Sequence, residues 1–267
     1  MNYTRYYLLA TTLMEKIDFY SELYGIYAVW YRELKVFLRE KARVISTVAS
    51  PLLWFFLFGG GLASRVQIEN IDYQKFIFPG ILMMSVVFSS LFFGVYIIWD
   101  RKIDALKEIL SAPVSRVSIF FGKLLGGATD IMTQTLILLT IGVFLVGYGP
   151  VELLITWGLM FIISLSMLSV GLTIGSLLES LEGFQLISTF IAFPMVFLSG
   201  AFYPVSDNLP FYLLILTKLN PLTYGVDAIR AIMLNYFVLS PLLNVAIMLL
   251  FCLATMIVGA VTFSRIK

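Results

Sequence analysis

The chain has 267 residues, of which 60% are hydrophobic and 13% charged, with 18 Lys and Arg against 16 Asp and Glu. A soluble domain carries roughly 25% charged residues, so this balance excludes one and points to a membrane protein. Histidine is absent and Cys252 is the one cysteine, which leaves the usual zinc and Cys-x-x-Cys sites without ligands and rules out an intrachain disulfide. No G-x-x-x-x-G-K-[ST], H-E-x-x-H or G-x-S-x-G pattern occurs, since Gly122-Lys123 runs on into Leu124. ATP hydrolysis by the Walker mechanism, and a catalytic or metal site generally, are therefore not expected in this chain. The first twenty residues contain Arg5, Glu15, Lys16 and Asp18 and no long apolar core, unlike a cleaved signal peptide.

Over residues 21–43, Leu23, Ile26, Tyr27, Trp30, Leu34, Phe37 and Leu38 recur at three- and four-residue steps, while Arg32, Glu33, Lys35, Arg39 and Glu40 fall elsewhere. This pattern predicts an amphipathic helix lying in the inner interface, or alternatively the cytoplasmic end of a long first spanning helix. Uncharged or nearly uncharged runs then predict six spans, at 44–64, 76–99, 118–147, 151–178, 184–203 and 241–263. The Gly147-Tyr148-Gly149-Pro150 turn separates the third from the fourth. With an inward N-terminus, fourteen of the eighteen basic residues fall on inner segments and four (Arg65, Lys75, Lys218, Arg230) on outer loops. Both termini are therefore expected in the cytoplasm of a multi-pass cell-membrane protein.

Between the second and third spans, Asp100 is expected to cap a short amphipathic helix at 100–112 with Ile103, Leu106 and Leu110 on one face, ended by Pro113. A solvated charged turn is the alternative. Asp130 lies seven residues past Lys123, about 10 Å along a helix, with Thr129, Thr133 and Gln134 as nearby donors. It is a candidate intramembrane polar site for cargo or protons, or a satisfied interhelical hydrogen bond. After the fifth span, the apolar stretch broken by Pro204, Pro210 and Pro221 predicts a re-entrant hairpin over 204–235, with helices at about Pro210–Leu219 and Pro221–Leu234. Such irregular backbone at membrane depth must be covered by protein or a polar cavity. Asp227 and Arg230 are three residues apart and expected to neutralise each other, as a structural pair or a gate. Phe88, Phe92, Phe93 and Tyr96 on the second span could line an apolar path or simply pack.

The stretch DRKIDALKEILSAPVSRVSIFFGKLL resembles the cytoplasmic coupling region of ABC-2 type permeases. FPMVFLSGAFYPVSDNLPFYLLILTKLNPLTYGVDAIRAIM is similar to that family's fifth span and re-entrant hairpin, above all at SGAFYP, LP and LNPLTYGVDAIR. The likeness covers residues from about 21 to 264 in order and spacing. It implies a single all-α transmembrane domain over 1–267, the membrane subunit of an ATP-binding cassette exporter of the daunorubicin-resistance and nodulation-export type. It further implies a second permease chain, expected as a homodimer in the lipid bilayer, and a separate ATPase subunit that holds ATP and Mg. No cofactor in this chain and no nucleic-acid partner follow from it. On the same basis Arg101, Lys102, Asp104, Lys107 and Glu108 would couple to the ATPase. The outer gate would comprise Phe202, Tyr203, Pro204, Asn220, Pro221, Tyr224, Asp227 and Arg230. The implied cargo is drug-like, lipid or otherwise amphiphilic and moves outward; a polysaccharide or glycolipid exporter is the alternative. An ion-coupled secondary transporter fits less well, because Asp130 is essentially the one acid within the spans.

Overall fold

The computed structural model describes residues 3–62, 67–68, 71–205 and 209–266. Residues 63–64 of the expected first span, Arg65, residues 206–208 of the expected hairpin and Lys267 lie outside the described residues. So do the side chains of Arg5, Lys16 and Lys41. The described chain is all-α apart from one antiparallel pair, β1 (Gln67–Ile68) with β2 (Ile71–Asp72).

Helix α1 (Tyr3–Arg39) stops at Glu40, whose φ of −91° and ψ of 58° leave helical geometry, and α2 (Lys41–Trp54) begins the first apolar run. The break separates α1 from the first span and removes the alternative of one long helix. The face of α1 that packs on its neighbour is also rotated from the expected stripe. Gly25, Val29, Glu33 and Phe37, at four-residue steps, turn inward, whereas Leu23, Tyr27 and Leu38 are exposed. Helix α2 continues as a wider π turn over Phe55–Gly59 and a last turn, α3 (Gly60–Leu62).

The second span is α4 (Tyr73–Phe93) followed across Gly94 by α5 (Val95–Lys102), and α6 (Ala105–Leu110) leads into α7 (Arg116–Val146). Ser115 caps α7 by accepting the Ser118 N–H at 3.1 Å, and Gly147, at φ 86°, closes it in the left-handed conformation that glycine adopts without strain. Pro150 opens α8 (Pro150–Leu177) at its first turn, where a missing N–H costs nothing. Helix α9 (Leu181–Phe197) is capped by Ser180 and is followed by α10 (Phe211–Leu219), α11 (Pro221–Leu234) and α12 (Pro241–Ser264).

Among the described residues, five stretches are long and apolar enough to cross a membrane: Ala42–Gly59, Tyr73–Lys102, Arg116–Val146, Pro150–Leu177 and Pro241–Ser264. Together they make the chain an all-α, multi-pass membrane protein. Helix α9, with 17 residues and thus about 25 Å, is shorter than the expected span over 184–203. Residues 198–203 form a turn instead, in which Gly200 at φ 71° carries the chain out of helical geometry. Helix α4 forms the centre: Phe76, Ile77, Met83, Val87 and Leu91 have no exposed surface. Helices α2 and α12 lie at the periphery with most of their side chains outward.

The tightest crossing joins the second and fourth spans. A methyl group at Gly94 would meet the Gly171 carbonyl, and one at Gly175 would meet the Gly94 carbonyl, so backbone packs on backbone. The four-residue step from Gly171 to Gly175 gives α8 the flat surface this contact needs. Gly171→Leu or Gly94→Val should therefore destabilise the bundle by about 1–3 kcal/mol or more, read as a lower unfolding temperature in detergent. Gly158→Ala, on the same helix with open space around it, should leave that temperature unchanged.

Candidate functional site

The segment between α5 and α7 is where the expected coupling residues lie. Asp104 takes the left-handed conformation (φ 58°) that short polar side chains tolerate, reversing the chain into α6, a helix of only six residues. Leu106 plugs α6 into the bundle, whereas Ile103 is exposed and does not complete the expected stripe. Lys107 and Asp104 pair at 2.6 Å in solvent, and Lys102 and Glu108 are exposed beside them. Arg101 does not join this surface. Its guanidinium donates to the Leu178 carbonyl at 2.8 Å and the Ser176 carbonyl at 3.3 Å, satisfying the C-terminal end of α8.

Asp100 caps no helix. It accepts from Lys123 Nζ at 2.5 Å and from Arg32 Nη2 at 2.5 Å, while Glu33 accepts from Lys123 at 2.9 Å and from Arg32 at 2.8 Å. Lys123 is completely buried, and Asp100 and Glu33 nearly so. Two cations and two carboxylates thus form a compensated cluster where α1, α5 and α7 meet, with Glu33 seated on the bare backbone of Gly126. A second contact fastens α1 lower down. Glu22 accepts the Ser115 N–H at 2.9 Å and the Ser115 hydroxyl at 2.7 Å. The Ser118 and Ser115 hydroxyls, with that N–H, outweigh the small effect of burial and hold the Glu22 carboxyl below its ordinary 4.5.

Asp130 has a partner that the sequence reading does not contain. Arg43 Nη2 lies 2.8 Å from its carboxylate, and Gln134 Nε2 donates to it on the other side. Arg43 also donates to Tyr96 Oη at 2.7 Å, and Tyr96 donates to Glu40 at 2.7 Å. Thr129 and Thr133 are not donors to the acid; their hydroxyls donate to the Leu125 and Thr129 carbonyls, and Thr129 accepts from Trp30 Nε1 at 3.0 Å. Arg43 is the second residue of the apolar stretch Ala42–Gly59, so this ion pair ties the start of that stretch to the middle of α7.

At the opposite end, the turn after α9 and the hairpin α10–α11 interlock. Phe202 stacks on Phe197 and leans on Phe58, and its carbonyl accepts from Tyr73 at 3.2 Å. The Tyr203 hydroxyl lies 3.5 Å from that of Thr217, and Pro204 is half-buried beside it. Asn220 caps α11 through Leu222 N–H at 3.0 Å and donates to the Met195 carbonyl at 2.6 Å, while Pro221 opens the helix and Tyr224 donates to the Lys218 carbonyl at 2.8 Å. Asp227 and Arg230 do not bond to each other as their spacing suggests. Asp227 accepts the Val238 and Leu239 N–H groups at 2.9 and 2.8 Å and the Asn244 amide at 2.8 Å. Arg230 lies over the Phe76 ring at 3.8 Å and donates to the Gly200, Ala201 and Phe76 carbonyls. The unpaired backbone of two non-helical stretches draws each charge away from the other.

The model of the ABC-2 type transporter family matches residues 24–234, which include both ends just described. The chain belongs to the ABC-2 type transporter family. It is 28% identical over 212 residues to the inner membrane transport permease YadH of Escherichia coli K12, covering 76% of this chain and 80% of that one. It is 30% identical over 227 residues to nodulation protein J of Rhizobium meliloti, with 82% and 84% covered. To the putative transport permease ycf38 of Cyanophora paradoxa it is 29% identical over 218 residues, with 79% and 74% covered.

In this ABC-2 chain the residues that sequence reasoning missed are Glu33, Lys123 and Arg43. Glu33 had a signal, since it continues the four-residue steps of Gly25 and Val29; Lys123 and Arg43 read as ordinary basic flanks. Lys123→Met should leave the buried carboxylates undercompensated and cost about 3–5 kcal/mol, measured as loss of folded protein on heating in detergent. Lys102→Met, at an exposed site, should stay within about 0.5 kcal/mol. Glu22 gives a pH effect of defined sign. A lowered folded value contributes stability that is complete above the unfolded value and is lost as pH falls through the folded one. Acidification below about 4.5 should thus raise hydrogen exchange at Ser115 and Ser118, and Glu22→Gln should abolish that pH dependence.

Proposed function

We propose that this chain is the membrane-spanning half of an ATP-driven exporter, working as a homodimer on two ATPase subunits that bind ATP and Mg. The observation that carries the reading is α6, a short charged helix exposed at one end of the bundle. Its roots, Asp100 before it and Lys123 after it, are bonded to each other inside the protein. A push on Lys102, Asp104, Lys107 and Glu108 would reach α5, α7 and α1 together and tilt the spans. The basic bias of the same side supports a cytoplasmic position for α6 and both termini.

The cargo proposed is amphiphilic and moves outward past the α10–α11 hairpin. A cavity of about 350 Å³ between α2, α4 and α9 supports this, lined by Ser46, Ser50, Ser85 and Ser89 together with the Trp54 and Phe193 rings. The serine hydroxyls favour, as a second reading, a glycolipid or polysaccharide. Proton coupling is disfavoured by Arg43, which already compensates Asp130.

Purification from native membranes should bring an ATPase chain with the permease. Reversing Lys107 and Glu108 together should weaken that association several-fold, while Ser85→Trp, which fills the cavity, should leave it intact and reduce export. Full transport by the permease alone on a proton gradient would overturn the proposal.

A further inference from the structure

We propose that α1 carries a binding site for an anionic phospholipid of the leaflet it borders. Above α1 lies an apolar recess of about 510 Å³, floored by Leu23, Ile26 and Trp30 and walled by Leu136 of α7 and Trp157 and Phe161 of α8. It has the size and lining of an acyl-chain groove. An unbroken ladder of side chains leads from this recess around α1. Trp30 touches the Tyr27 ring at 5.6 Å, Tyr27 stacks on Tyr31 at 6.0 Å, and Lys35 Nζ stands over Tyr31 at 4.4 Å. Both tyrosines are exposed, as rings at headgroup depth are. Lys35 and Arg39, one and two turns further along the helix, share a shallow groove with Tyr31.

The charge of the lipid follows from what these two cations lack. The neighbouring Arg32, Lys123 and Arg43 each face a carboxylate within 3 Å. Among the described ion pairs Lys35 and Arg39 have none, and both side chains are exposed. A chain in the recess with a phosphate at Lys35 and Arg39 satisfies both ends of the ladder with one molecule. A bound lipid would hold α1 against α7, and so support the Glu33–Lys123 bond from outside. The inference stands independently of the ATPase partnership.

The test uses the full chain in phosphatidylcholine nanodiscs, with Trp54→Phe and Trp99→Phe leaving Trp30 and Trp157 as the tryptophans. Brominated-chain phosphatidylglycerol should quench their fluorescence more than brominated-chain phosphatidylcholine at the same fraction. Lys35→Gln and Arg39→Gln should each lower that preference about fivefold, the ~1 kcal/mol that one basic residue contributes at an anionic surface. Lys35→Arg should retain it, and Leu136→Phe, which fills the recess, should reduce quenching by both lipids. Equal quenching by the two lipids, a preference that survives the double Gln substitution, or quenching insensitive to Leu136→Phe would each overturn the proposal.

Discussion

The position of Lys123 governs the end of the bundle where α1, α5 and α7 meet. A fully buried ammonium group is tolerated only with close compensation, because the cost of removing a charge from water is several kcal/mol even after relaxation. Here the compensation comes from Asp100 and Glu33, and Arg32 balances the second negative charge. The consequence is topological as much as energetic. Residues 33, 100 and 123 belong to three separate helices, and satisfying one lysine requires that all three converge. The α6 segment is a loop closed by that convergence, so it cannot shift as a free linker can.

A second polar layer sits above the first. The helix break at Glu40 turns Arg43 inward at the start of α2, where it meets Asp130 and Tyr96, while Gln134 donates to Asp130 and Glu40 accepts from Tyr96. These groups satisfy one another, so that the nearly fully buried Asp130 carboxylate is not left alone. The two layers share α5 and α7, which supply Asp100 and Lys123 to the first and Tyr96 and Asp130 to the second. Any rotation of α1 that separated Glu33 from Lys123 would also act on the short connection to Arg43.

Several helix ends are written in local chemistry: Gly147 and Pro150 between α7 and α8, and Asn220-Pro221 before α11, were legible, whereas the Ser115 cap of α7 was not read. The partners of the charges were not legible. Asp100 reads as a cap, Arg101 as a docking residue, and Asp227 with Arg230 as a pair, each from spacing along one helix. In the structure Asp100 turns to Lys123, Arg101 to the end of α8, and Asp227 and Arg230 to backbone groups. Helical periodicity gives the direction of a side chain but not what another helix brings to it, and orphaned carbonyls and N–H groups nearby compete for every charge. The shortness of α9 escaped for a related reason. Residues 198–203 are apolar enough to continue a span, and only the backbone of Gly200, held by Arg230, ends it.

The two ends of the bundle meet the same requirement, that buried polar groups be satisfied, with different chemistry. The end that carries α6 does so with ions against ions, so that parting Lys123 from Asp100 exposes full charges of both signs in an apolar setting. At the opposite end Asp227 and Arg230 instead serve backbone N–H and carbonyl groups of the stretches around Gly200 and Val238. The two ends thus differ in kind, and the asymmetry is physical. It lies in what each buried charge is bonded to, and counting the charges would not disclose it.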